Sequence, residues 1–367
     1  MLSHWYVIAE PVWNEFLFYF LSSTCTIFSL LHPFSPRGKL IYLGREGLQV
    51  SNSLVQVAHN YNPECVLREK LYRLALTEKN VKDLQNTASL YPDLATWMSS
   101  QDIESQCGSS THCQGGIELA QGCKVIHVPT YLQGLWKACE DLSNSTATWS
   151  IVNDEQINPE LSAKLWKNRL DQFDTVILSA GSGLFTDSIV QEEAVDFPVE
   201  LVRGQSVEMT LDEDAVSTQP NFSNEALLCG KYIAPMDRRN KVLIGATHEY
   251  KEDPLNHDDV VQDLRSRSYD ISQFVWDNGH VDRITVGYRV QSRRGKFGRM
   301  PIIGKTQYDD VHSNSWIFTG LSSRGLIYHG VFGKYLSKAV MNGNEYEILK
   351  DMPEAFWWKN TQNKVYN

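Results

Sequence analysis

The strongest constraint on this fold comes from two short apolar runs that each break off into glycine and serine. Thr175-Val-Ile-Leu-Ser-Ala-Gly-Ser-Gly-Leu and Trp316-Ile-Phe-Thr-Gly-Leu-Ser-Ser-Arg-Gly-Leu both read as a buried strand followed by a tight turn. Small residues at the carboxyl end of a strand let backbone approach a ligand closely. After the second run a helix is expected over residues 325–341, stopped by Asn342-Gly343. Its N-terminus offers free N–H groups and partial positive charge, which suits an oxyanion or an electron-rich ring edge. The first run offers Gly-x-Gly, but Thr186 stands where a third glycine would complete a dinucleotide fingerprint. A plain strand-to-helix turn explains that run as well.

Elsewhere the chain alternates between helical and strand patterns. Residues 32–39 read as a loop, because two prolines and a glycine break regular structure. A helix is expected over 46–60, an element of either kind over 66–76, and helical pieces broken at Pro92 over 79–105. Two short strands should flank Gly122 within 115–128, and a helix with proline in its first turn should follow over 129–141. Strands are expected over 146–152, 173–179, 197–209, 285–292 and 315–319, with a hairpin of 231–234 and 242–247 around Asp237-Arg-Arg-Asn. Residues 257–277 read as one helix, with Asp258 and Asp259 suiting its N-terminal dipole. The mix implies an α/β layer interleaved with a mostly antiparallel β layer, in one large domain or two interleaved ones.

Several function classes find no support. The formal net charge of −10 argues against general nucleic-acid affinity. Arg293, Arg294, Lys296 and Arg299 form a local basic patch that reads as a solvated loop. Seven scattered cysteines do not make a secreted disulfide framework. They favour a reducing interior, so the expected location is intracellular, cytoplasmic or organellar. Cys107, Cys113, Cys123 and His112 match no zinc spacing, and no metal is expected. The hydrolase elbow, the phosphate loop and H-E-x-x-H are absent from the sequence. Residues 16–31 are apolar but shorter than the ~20 residues of a spanning helix. No Lys or Arg precedes Arg37, and Glu10 and Glu15 also argue against a signal peptide. A buried segment is the plain reading of this stretch. A membrane anchor and a segment foreign to the fold are the others.

Taken in order, further motifs point one way: Pro129-Thr-Tyr-Leu-Gln-Gly-Leu, Val176-Ile-Leu-Ser-Ala-Gly, Val202-Arg-Gly-Gln, Tyr232-Ile-Ala-Pro, Val242-Leu-Ile-Gly-Ala-Thr, Gly287-Tyr-Arg-Val, Met300-Pro-Ile-Ile-Gly and Phe318-Thr-Gly-Leu-Ser-Ser-Arg-Gly-Leu. The set resembles the D-amino-acid oxidase, glycine oxidase and sarcosine oxidase superfamily. It is similar above all to the C-terminal domain of the bacterial bifunctional enzyme that makes methylaminomethyl-uridine in tRNA. Upstream, Leu31-His-Pro-Phe-Ser-Pro-Arg-Gly looks like the loop beside the flavin in that group.

The resemblance implies FAD as cofactor and an incomplete FAD-binding Rossmann-like layer interleaved with a substrate domain. Residues 1–31 would be an atypical N-terminal segment. In the remainder, 32–367, the cofactor parts would lie at about 32–60, 115–190 and 285–345, and the substrate parts at about 61–114 and 195–284. Ala180 and Gly181 would lie near the nucleotide half. Gly320, Ser322, Ser323, Arg324, Gly325 and Leu326 would lie at the pyrimidine edge of the flavin, and His32, Pro33 and Phe34 near the isoalloxazine. Arg289 would pair with a substrate carboxylate, and Tyr232 would help close the substrate pocket. A strand salt bridge and an amphipathic core residue are their plainer readings.

The implied reaction is hydride transfer from an amine-bearing carbon to the flavin, with hydrolysis of the imine and reoxidation by oxygen. A primary or secondary amine, or an amino acid, is the expected substrate. One departure stands out. The superfamily opens with strand, G-x-G-x-x-G and helix, whereas the first 31 residues here contain no glycine, so a sheet edge should be left exposed. A tRNA wobble-uridine modifier and a non-catalytic relative or fragment that binds a metabolite or partner are the alternative functions.

Overall fold

The computed structural model describes residues 5–8, 28–108, 112–142, 174–179, 181–186, 197–218, 224–250, 253–306 and 314–362. The chain divides into two units, one of residues 1–24, 146–202 and 288–367, the other of 25–145 and 203–287.

The first unit is built on a four-stranded sheet of Trp5–Ile8, Thr175–Leu178, Ser315–Thr319 and Ile302–Lys305, in that order. The first three strands run parallel, with Ile8 and Ile317 both opposite Leu178, and the last is antiparallel. Val176, Leu178, Ile302 and Ile317 form its core with Phe197 and Trp358. Both runs singled out in the sequence are therefore sheet strands with glycine at their carboxyl ends. The expected vacancy beside them is corrected: Trp5–Ile8 pairs along Thr175–Leu178, so an N-terminal strand is present without the glycine turn. The edge strand Ile302–Lys305 is covered from the C-terminus. Glu345 accepts from the Lys305 amide, and the Trp358 indole donates to the Ile303 carbonyl at 3.1 Å. Such cover blocks pairing with another chain.

The second unit carries an eight-stranded sheet in the order Gly279–Ser292, Val199–Leu211, Lys241–Gly245, Lys231–Pro235, Leu227–Cys229, Leu71–Leu74, Gly116–Leu119 and Thr96–Met98, its outer two strands running on beyond the unit boundary at one end. It is largely antiparallel; Leu227–Cys229 on Leu71–Leu74 is a parallel pair. One face packs under Leu264, Ile271, Val275 and Trp276. A three-stranded sheet of Phe28–Leu31, Lys124–His127 and Val66–Arg68 stands beside the helix pair Gly44–Tyr61 and Val128–Leu142. Leu48, Ser51, Val55 and Ala58 recur at helical spacing and bury one face of the first helix. Gly134 on the second lets the backbones touch, since a Cβ there would fall 2.5 Å from the Ala58 carbonyl oxygen.

Three sequence expectations change. Residues 66–76 hold two strands, and Thr96–Met98 is a strand inside the stretch read as helical pieces. A three-residue strand carries no periodicity of its own; pairing with Gly116–Leu119 creates it. The helix expected over 257–277 is two, His257–Ser268 and Gln273–Asp277, because Ser272 caps a new start by accepting from the Val275 amide. The strand expected over 146–152 lies outside the described residues. By contact, residues 32–60 and 115–142 fall in one compact unit with 61–114, the last two joined by the Leu71–Leu74 to Gly116–Leu119 ladder.

Candidate active site

Thr175–Leu178 and Ser315–Thr319 are neighbours and parallel, so their carboxyl ends open on the same edge of the sheet. Open α/β sheets bind ligands at that edge. Each strand ends in a left-handed glycine, Gly181 with φ +60° and Gly320 with φ +71°. Ala180 lies outside the described residues. Beyond Gly320, Ser322 also takes a positive φ of +56° and is buried, its hydroxyl donating to the Gly320 carbonyl at 3.4 Å. Ser323 is exposed. Arg324 folds back on its own helix and donates to the Tyr328 hydroxyl at 3.1 Å. The helix Gly325–Met341 then begins without a side-chain cap, and Leu326 turns into the core.

Arg289 is half-buried on the strand Gly279–Ser292. Two residues on, Gln291 makes an antiparallel bridge with Leu321. The strand that carries Arg289 therefore runs into the glycine turn within one unit. Two hydroxyls at this junction, Ser292 Oγ and Thr319 Oγ1, are buried without a hydrogen-bond partner. Each such group costs about 1–3 kcal/mol unless something else satisfies it. The sequence reading missed both, although Thr319, as the last strand residue before Gly320, carried a signal that could have marked it.

The other expected residues belong to the second unit. Tyr232 stands opposite Gly245 in the ladder, and Gly245 opposite Ser206. The Tyr232 ring lies across Gly245: a Cβ there would fall 2.5 Å from Tyr232 Cζ and 2.6 Å from Ser206 Oγ. The Tyr232 hydroxyl sits 3.4 Å from Ser206 Oγ. His32, Pro33 and Phe34 open a closed loop. Phe34 bridges Leu40, the Ile41 amide donates to the Pro33 carbonyl at 3.0 Å, and Thr87 donates to the Gly38 carbonyl at 3.1 Å. Within it the Phe34 amide donates to His32 Nδ1 at 3.3 Å. Burial, then the nearby Arg73 charge, pushes His32 down to about 3, so its imidazole is neutral. A shallow polar depression in this unit is lined by His59, Arg68, Glu69 and Arg238. Arg68 is already committed to the carbonyls of Leu67 and Asn224, and none of these is an expected site residue. No group of three or more His, Cys, Asp or Glu able to hold a metal occurs among the described residues.

The FAD dependent oxidoreductase profile matches residues 24–339, most of the chain. The protein belongs to that family. Solved structures agree in fold. Glycine oxidase from Geobacillus kaustophilus superposes with a TM-score of 0.61 at 16% identity, over 89% of this chain and 83% of that one. Glycine oxidase from Bacillus cereus gives 0.63 at 15%, over 88% and 85%. Iminodiacetate oxidase from a Chelativorans species gives 0.63 at 14%, over 93% and 96%. A comparison with curated proteins finds no match.

FAD is the cofactor of this oxidoreductase family. The turn after Ser315–Thr319 and the strand end beside it have features that suit a bound cofactor: two orphaned buried hydroxyls, a helix start without a side-chain cap, and positive φ at Gly320 and Ser322. In the sequence the strand Trp5–Ile8 is followed by Ala9-Glu10-Pro11, without a glycine.

Proposed function

We propose that this family member oxidises a small amine that carries a carboxylate, with Arg289 as the carboxylate clamp and residues 320–326 at the flavin ring. The observation that carries this reading is the Gln291 to Leu321 bridge, which leads the Arg289 strand into the Gly320 turn. Glycine and iminodiacetate, named for two of the similar oxidases, each carry an amine and a carboxylate. A planar guanidinium binds a carboxylate through two parallel hydrogen bonds and fixes its orientation. Arg289 thereby sets which carbon of the substrate faces the ring. When bound, FAD supplies the acceptor for the hydride leaving the amine-bearing carbon. The free amides at the start of Gly325–Met341 stabilise negative charge at the ring edge. Thr319 and Ser292 supply hydroxyls there. Tyr232 is assigned to the substrate side, where its hydroxyl offers a polar contact, and His32 supplies a neutral imidazole. Neither role requires a strong base, because a substrate amine held neutral gives up hydride without one.

The test is spectroscopic. FAD added to the protein should give a bound-flavin spectrum between roughly 350 and 500 nm, and anaerobic glycine-like amino acids should bleach it. Arg289→Ala should weaken carboxylated amines about 100-fold, roughly the 2–3 kcal/mol of a charge-assisted pair, and leave simple amines unchanged. A protein that takes up no flavin overturns the reading. A second reading, a binding protein without turnover, draws support from Ala9-Glu10-Pro11 in place of the glycine turn. Flavin that binds yet is bleached by no amine identifies that case.

A further inference from the structure

We propose that Arg73 is a positioning residue for His32: through the Ser35 carbonyl its buried guanidinium ties down the loop that carries the imidazole, so that the ring presents Nε2–H as a donor of fixed direction. Arg73 lies in the strand Leu71–Leu74 and is 6% exposed. Its Nη1 donates to the Ser35 carbonyl, one residue past the His32-Pro33-Phe34 segment. Its Nε has no hydrogen-bond partner. No carboxylate pairs with it among the described residues, although other cations on the surrounding elements are paired: Arg45 with Asp93, Lys70 with Glu118 and Lys124 with Glu69. Arg37 and Lys39, on the loop itself, are exposed. The thiols facing Arg73, Cys123 and Cys229, are both raised by burial, Cys123 to about 12, so neither supplies a countercharge.

A buried cation without a countercharge is costly. Burial lowers Arg73 to about 10, which still leaves it charged at neutral pH. Arg73 is also the charge that acts on the His32 ring, adding to the effect of burial. Geometry fixes the tautomer. The Phe34 amide donates to Nδ1, so Nδ1 carries the lone pair and a neutral ring carries its proton on Nε2. His32 is then a hydrogen-bond donor of fixed direction, with no charge and no part in acid–base exchange at neutral pH. That this donor serves the flavin rests on the function proposed above; the state of the ring does not, and it can be read without flavin.

The experiment is ¹⁵N NMR of histidine-labelled full-length protein between pH 4 and 8, with His32→Asn identifying the His32 signals. Wild type should show His32 as the Nε2–H tautomer throughout, with no midpoint above pH 5. Arg73→Gln keeps a donor for the Ser35 carbonyl and removes the charge. Its His32 midpoint should rise by about one pH unit or more, the size of a nearby like-charge effect. Arg73→Lys keeps the charge and should restore the wild-type behaviour. The proposal is overturned by an Nδ1–H tautomer or a midpoint above pH 5 in wild type, by equal midpoints in wild type and Arg73→Gln, or by an equal rise in both variants. If Arg73→Gln does not fold, the wild-type tautomer and the Arg73→Lys midpoint decide.

Discussion

Tyr232 and Gly245 show how one residue sets the place of another. The ring occupies the space above a glycine, so the smallest possible side chain at 245 must displace it. Gly245→Ala should destabilise the protein by about 1–3 kcal/mol, the usual cost of overpacking. In the Tyr232→Ala background the same change should cost much less, and a denaturant double-mutant cycle measures the difference. Additive losses would disprove the contact. His32 makes a pH prediction. The unfolded chain binds a proton near the ordinary value of 6.5, whereas the folded protein waits until about 3. Between those values the unfolded state binds more protons, so this contribution is complete above pH 6.5 and is lost as pH falls. The slope is at most about 1.4 kcal/mol per pH unit, a ceiling because His32 is partly exposed. Urea unfolding at pH 7 and pH 5 should show wild type losing more stability than His32→Asn. The sequence named His32 through its loop motif, but Arg73 sits in a stretch that reads equally as helix or strand, and its burial without a countercharge exists only once neighbouring strands enclose it.

The helix pair Gly44–Tyr61 and Val128–Leu142 is the element whose packing is most sharply defined by one position. Gly134→Ala raises intrinsic helix propensity by about 1 kcal/mol, yet its methyl would meet the Ala58 backbone, which no rotamer change can move aside. Overpacking should win, and thermal unfolding should show a lower melting temperature for Gly134→Ala; a gain would mean the helices separate freely. Elements with long, strong periodicity were legible. Gly325–Met341 runs between the limits read from its apolar pattern and its Asn342-Gly343 stop, and Gly343 takes a φ of +63° as such a stop requires. The break inside 257–277 was not legible, because Ser272 is as acceptable within a helix as at a cap until Ile271 is drawn into the core.

For the whole molecule, the small parallel sheet depends on a strand that no motif announced. Deleting residues 1–8 would bare the edge of Thr175–Leu178, with its unpaired backbone groups facing outward. The deleted protein should self-associate, with light scattering as the measure; an unchanged monomer would show that the edge is protected in another way. The family membership, the mixed α/β class, the glycine turns at 181 and 320 and the long helix Gly325–Met341 were fixed by local chemistry: glycine's access to positive φ, apolar runs that fit a buried strand, and the order of motifs along the chain. What tertiary structure alone decided was adjacency. It paired Trp5–Ile8 with Thr175–Leu178, drew 32–60 into one unit with 61–145, left Thr319 and Ser292 buried at the turn beside Arg289's strand, and closed Arg73 in behind His32. Those relations join residues far apart in the chain, and hydrogen-bond satisfaction and the cost of a buried charge arise only when the strands between them assemble.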